Sequence, residues 1–145
     1  MDALELLKQD HEQVKELFEQ AEGGEEKELK DIFTQIEKAF THARIEETVF
    51  YPAMEKKEEL KDMVLESYEE HKQIKTLLRE MDALVSDSEK LEPKLNVLKE
   101  NVEHHAEEEE EDKMFPKVRE LFDAAALEKL GQELEAAKGK RIRAA

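Results

Sequence analysis

A chain of 145 residues, 43% charged and 39% apolar, with four glycines and three prolines, can bury one core but lacks the turn formers of a β protein; a single all-α domain is expected. The balance of 23 basic against 39 acidic residues, a net charge of −16, repels phosphate backbones and argues against nucleic acid as a partner. The absence of cysteine excludes disulfides and thiolate metal sites, so any metal must bind through imidazole and carboxylate.

The chain opens directly on Asp2 and an amphipathic helix, with no export signal and no apolar run long enough for a membrane, so a cytoplasmic protein away from membranes is expected. Asp2, with Glu5 three residues on, reads as an N-cap, and Gly23-Gly24 as the helix end. The apolar seam of this first helix is Leu4, Leu7, Val14, Phe18 and Ala21, and His11 occupies a slot that leucine would normally fill.

The second helix is expected from about Glu26 to Tyr51. Its stripe of Leu29, Ile32, Ile36 and Ala39 passes into His42, Glu46 and Val49, so His42 and Glu46 share one face. Pro52 ends or kinks it. A third helix, from about Glu58 to Leu84 or Val85, carries Leu60, Val64, Ser67, His71, Ile74, Leu78 and Met81 at steps of three and four, again with a histidine in mid-seam. Ser86-Asp87-Ser88 is a polar break.

A fourth helix is expected to begin near Glu92-Pro93, with Leu91, Leu95, Leu98, Val102, His105 and Glu109 as its stripe; His104 falls outside it. After Phe115-Pro116 a short fifth helix should run from Asp123 to Gly139 and bury Leu127, Leu130, Leu134 and Ala137. Lys138, Lys140, Arg141 and Arg143 read as a solvated basic tail. Short connections imply an up-down-up-down antiparallel four-helix bundle over residues 1–120, with residues 121–145 packed on it as a short helix and tail.

Four helices each bring one inward histidine, and two of the stripes also bring a carboxylate. An ionised glutamate inside a bundle costs several kcal/mol unless it is paired or metal-bound. The inward stripes hold no lysine. A pair of cations would satisfy both carboxylates and all four imidazoles. Counted at about 1.5 Å per residue, the donors of the last three helices reach one height near mid-bundle, while His11 needs some stagger. Six nitrogen and oxygen donors suit two iron ions best, with manganese and zinc as weaker fits.

The order His11, His42-x-x-x-Glu46, His71, His105-x-x-x-Glu109 resembles the hemerythrin-like family, also called the HHE cation-binding domain, over about residues 1–120. The text around His11, from His42 to Ala53 and from His104 to Arg119 is similar too. The resemblance implies a four-helix bundle with an oxo- or hydroxo-bridged di-iron centre, the four histidines terminal, Glu46 and the fourth helix's glutamate bridging. It implies binding, sensing or handling of dioxygen, nitric oxide, peroxide or iron.

Two departures from the family pattern stand out. The oxygen carriers have a second histidine four residues after the third helix's ligand, where this chain has Lys75; water, Glu70 or Tyr68 would fill in. An open position favours reaction with peroxide or dioxygen over simple carriage. From His105 to Pro116 is eleven residues, one more than usual. A regular helix makes Glu109 the bridge; a π-bulge that absorbs the extra residue makes it Glu110.

Three readings follow. The first is a di-iron protein that takes a small diatomic or peroxide ligand, as a monomer, although oligomeric state is not written in the sequence. The second is a peroxide-decomposing or nitric-oxide-handling enzyme, with an iron-binding or iron-sensing protein without oxygen carriage as a further alternative. No residue outside the ligand set marks a substrate pocket, so no enzyme class follows. The third reading is a metal-free interaction bundle using its acidic surface.

Overall fold

Asp2 starts the first helix by a reciprocal cap: its carboxylate accepts the Glu5 N–H at 2.9 Å, and the Glu5 carboxylate accepts the Asp2 N–H at 3.2 Å. The computed structural model describes residues 1–22, 26–40, 44–84 and 88–144. Gly23, Gly24, His42, Val85, Ser86 and Asp87, on which sequence expectations were placed, lie outside the described residues.

Helix α1 (Ala3–Ala21) packs along α2 (Glu26–Ala39). A π-helical segment, Glu46–Phe50, leads into α3 (Tyr51–Glu55), and a 3-10 turn, Glu58–Leu60, into α4 (Lys61–Asp82). Helix α5 (Ser88–Glu103) packs on α4 and continues through a second π segment, His104–Met114, into α6 (Phe115–Leu121). Last comes α7 (Ala124–Ala144), laid against α1 and the first π segment. No strand occurs among the described residues, and the expected all-α bundle with an added helix holds.

Two boundaries and one side chain stand out against expectation. Helix α5 begins at Ser88, so Pro93 lies inside it; this near the start, the lost N–H bond and the crowding of the carbonyl four residues back disturb only the first turns. Helix α7 runs past Gly139 to Ala144, because an internal glycine costs a helix about 1 kcal/mol and does not forbid it. Lys138 is no solvated tail residue: its ammonium donates to Asp10, which is buried.

The rest of α7 behaves as read, except that Ala137 is only partly buried. The Asp123 carboxylate caps it by accepting the Ala126 N–H at 2.8 Å, and Leu127, Leu130 and Leu134 are buried. Gly131 faces the start of α1 so closely that a Cβ there would lie 2.4 Å from the Met1 carbonyl oxygen. The N-terminal amine also pairs with Glu128 at 3.3 Å.

The apolar interior falls into two clusters. One gathers Leu4, Leu7, Phe50, Met54, Val64 and Phe115 with the α7 leucines; the other gathers Val14, Phe18, Phe33, Ile36, Ile74 and Leu98. Along α1 the change comes between Leu7 and Val14, along α4 between Val64 and Ile74, and along the fourth rod between Leu98 and Met114. His11, His71, His105 and Glu110 occupy those intervals.

Candidate metal centre

Between the two apolar clusters, Glu46, His71, His105 and Glu110 are buried, and both glutamates are 0% exposed. The His11 side chain is 8% exposed. His105 Nε2 lies 2.9 Å from His71 Nε2 and 3.1 Å from Glu110 Oε1; His11 Nε2 is 3.3 Å from the same oxygen. The donor atoms of Glu46, His71 and His105 lie within 4.8 Å of one another, as do those of His11, Glu46 and Glu110. Glu46 is common to both groups.

Each of these imidazoles is held from behind. His71 Nδ1 meets Glu47 at 3.0 Å, His105 Nδ1 meets Glu70 at 2.8 Å, and His11 Nδ1 meets Glu111 at 2.8 Å. An ionised carboxylate only accepts, so each Nδ1 carries the hydrogen and each Nε2 turns its electron pair toward the centre. This is the arrangement that orients and strengthens histidine metal ligands. Glu47 is itself gripped by Lys75, whose ammonium donates to both carboxylate oxygens at 2.8 Å. The His71 contact foremost, then Lys75 against the opposing effect of burial, lowers the Glu47 carboxyl from 4.5 to about 2.

The buried groups of the centre shift one another's proton affinity. Burial alone would lower His105, but the neighbouring Glu110 and Glu70 outweigh it and hold the imidazole well above its ordinary value. Burial would likewise raise Glu110; His105, then Glu46 and His11, hold it well below the usual carboxylate range. Two facing Nε2 atoms 2.9 Å apart need a positive charge between or upon them.

Glu109, which the regular 3.6-residue stripe selected, does not face this centre. Its carboxylate points outward to Lys113 at 3.0 Å and to His104 at 3.6 Å. Glu110 takes the inward place, because His104–Met114 is π-helical and residues five apart stack there. In the cap of each π segment the residue before proline donates five residues back, Tyr51 N–H to the Glu46 carbonyl and Phe115 N–H to the Glu110 carbonyl. Pro52 and Pro116 then stand in the first turn of α3 and α6. A proline ring crowds the carbonyl four residues before it, and the widened turn relieves that crowding. Proline and widened turn thus occur together in both places.

Sequence reasoning passed over a repeat that contains this answer. Glu46-Glu47-x-x-Phe50-Tyr51-Pro52 matches Glu110-Glu111-x-x-Met114-Phe115-Pro116, and Asp10-His11-x-Gln13-Val14-Lys15-x-Leu17 matches Glu70-His71-x-Gln73-Ile74-Lys75-x-Leu77. Counted back from proline, both inward glutamates stand six residues away. In each copy the following glutamate, Glu47 or Glu111, holds the histidine of another helix. Phe115 stacks on His11 at 6.3 Å, as the Tyr51 ring lies 5.3 Å from His71.

Tyr51 was also missed, since an aromatic beside proline reads as core. It is fully buried, and its Oη lies 3.3 Å from His71 Nε2, 3.1 Å from His105 Nε2 and 3.1 Å from Glu110 Oε2, to which it donates. Burial, then Glu110 and Glu46, push the phenol well above its ordinary pKa. Tyr68 stands one ring further out, edge-on to Tyr51 at 5.4 Å. Of the groups expected to stand in for a histidine at Lys75, Tyr68 and Glu70 thus act behind the centre, while Tyr51 brings an oxygen into it. His42 lies outside the described residues.

The donor set fits a metal cation. Three imidazole nitrogens with fixed tautomers, two buried carboxylates and a phenol converge in an apolar surround, without thiolate, which suits a first-row ion that takes nitrogen and oxygen together. Beside them is a cavity of ≈30 Å³ lined by Val14, Phe40, Ile74, Val102 and Ala106 as well as by Glu46 and the three histidines. That is room for a ligand of a few atoms.

Comparison with known proteins agrees with the geometry. A curated protein from Nostoc, a "DNA nickase", is 28% identical over 142 residues, 97% of this chain; the match spans 40% of that protein's length. A solved structure, of a hemerythrin HHE cation binding domain-containing protein from Mycobacterium kansasii, superposes with a TM-score of 0.81 at 26% identity, covering 99% of this chain and 91% of that one. The family model described as "Hemerythrin HHE cation binding domain" matches residues 2–118, which include every inward histidine and glutamate described above, and on that match the chain belongs to the hemerythrin HHE cation-binding family.

Proposed function

We propose that this protein holds two iron ions between its two apolar clusters and uses them to bind, sense or react with dioxygen, nitric oxide or peroxide. One observation carries the reading: His11, His71 and His105 each offer Nε2 to a shared centre while a carboxylate fixes Nδ1, and Glu46 belongs to both donor groups. His11, Glu46 and Glu110 would hold one ion, and Glu46, His71 and His105 the other, with the phenol of Tyr51 in reach. When bound, such a pair supplies two coupled one-electron redox sites open to small ligands. The protein's own part is to fix tautomers, keep water scarce with Val14, Phe40, Ile74 and Val102, and hold a hydroxyl proton at Tyr51.

Turnover of peroxide or nitric oxide is the second reading, favoured by Lys75: its ammonium is spent on Glu47, so the oxygen carriers' additional histidine has no counterpart there. Nicking of DNA is not carried over from the Nostoc relative, most of whose length is unmatched, and a charge of −16 opposes it. Anaerobic loading with ferrous iron, followed by metal analysis and optical spectra after dioxygen, nitric oxide and peroxide in turn, tests the proposal. Two irons per chain and a new charge-transfer band with at least one ligand are expected; fewer than one iron per chain would overturn it. Oxygen evolution from peroxide above that of free iron would select the second reading.

A further inference from the structure

The π segment that brings Glu110 beneath His105 does the same one residue earlier in the chain: it brings Glu109 beneath His104 on the outer face. Together with Glu70 of α4, these residues place one imidazole nitrogen and two carboxylate oxygens within 4.8 Å of one another. His104 Nε2 is 3.3 Å from Glu70 and 3.6 Å from Glu109. Its Nδ1 is held by Glu108 at 2.8 Å. The pattern of the buried histidines is thus repeated, with Nδ1 fixed by a carboxylate and Nε2 turned to further carboxylates. Neither acid is a free surface side chain, for Glu70 is 15% and Glu109 12% exposed.

Glu70 faces both ways. One oxygen holds His105 Nδ1 at 2.8 Å, and the other faces His104. We propose that His104, Glu109 and Glu70 form a further site, for a single divalent first-row cation, on the solvent side of the core centre. Its mixed nitrogen and oxygen donors on two elements suit ions such as manganese, ferrous iron or zinc. Lys113, 3.0 Å from Glu109, acts as a built-in competitor that the cation displaces.

The site does not require that the core hold iron, so the two readings can fail separately. Manganous ion is titrated into iron-loaded protein, and again into metal-free protein, with free Mn²⁺ followed by its paramagnetic resonance signal. Wild type should bind one more Mn²⁺ than His104→Ala, and Glu109→Gln should lose the same equivalent; iron content and core spectrum should be unchanged in both. Lys113→Ala should tighten this equivalent several-fold, an effect that simple damage to the helix would not produce. Equal uptake by wild type and His104→Ala, or no tightening in Lys113→Ala, would overturn the site. The core reading is judged on iron content alone.

Discussion

Replacing Glu110 by glutamine and, separately, Glu109 by glutamine sets the π register against the regular helix. Glu110 is 0% exposed and within 3.3 Å of two histidine nitrogens and a phenol oxygen. Removing one partner of such a buried charged set costs about 3–5 kcal/mol, and at about 1.4 kcal/mol per tenfold that weakens metal binding on the order of a hundredfold or more. Glu109 pairs outside the core centre with the exposed Lys113, and a pair with one well-solvated partner is worth about 1 kcal/mol or less, so Glu109→Gln should change core affinity less than about fivefold. Competition against a chelator of known strength measures both. If Glu109→Gln loses core metal as severely as Glu110→Gln, the assignment of the inward carboxylate is wrong.

The carboxylates behind the histidines should matter less than the donors but measurably: Glu47→Gln, Glu70→Gln and Glu111→Gln should each weaken core metal binding roughly 10- to 100-fold, and an unchanged affinity in all three would show that Nδ1 needs no anchor. Glu47 also predicts a pH dependence. Its folded pKa of about 2 lies below the ordinary 4.5, so its contribution is complete above 4.5 and is lost as pH falls toward 2. Urea midpoints of metal-free protein should therefore fall less between pH 5 and 3 in Glu47→Gln than in wild type, and parallel curves would refute this. Gly131→Ala should destabilise despite alanine's better helix propensity of about 1 kcal/mol, because its Cβ would meet backbone at 2.4 Å, an overpacking that costs about 1–3 kcal/mol; a raised melting temperature would show that α7 can slide.

Much of this could be read from the sequence because helical periodicity reports burial directly. Asp2 capped as its spacing to Glu5 indicated, and His11, His71 and His105 fell in the interior because each replaces a leucine in a seam of threes and fours. One failure comes from the count itself: periodicity assumes 3.6 residues per turn, and the π segment His104–Met114 breaks that count where the chemistry sits. Glu109 was preferred to Glu110 for that reason. Tyr51 was hidden differently, since nothing about a buried aromatic announces that its hydroxyl reaches two imidazoles and a carboxylate. Lys75 was legible as a missing ligand, but its hold on Glu47 spans 28 positions and depends on how two helices meet.

The widened turns also settle how relatives of this chain should be aligned. Counted from histidine, the interval to the inward glutamate can vary, because a loosened helix absorbs an added residue there. Counted from proline it should stay constant, since the glutamate's own carbonyl closes the last wide turn before the ring. An insertion between His105 and Glu110 is thus a tolerated spelling variant, while one between Glu110 and Pro116 would turn the carboxylate out of the core. Proline, which binds nothing, is the better landmark for finding the carboxylate that does.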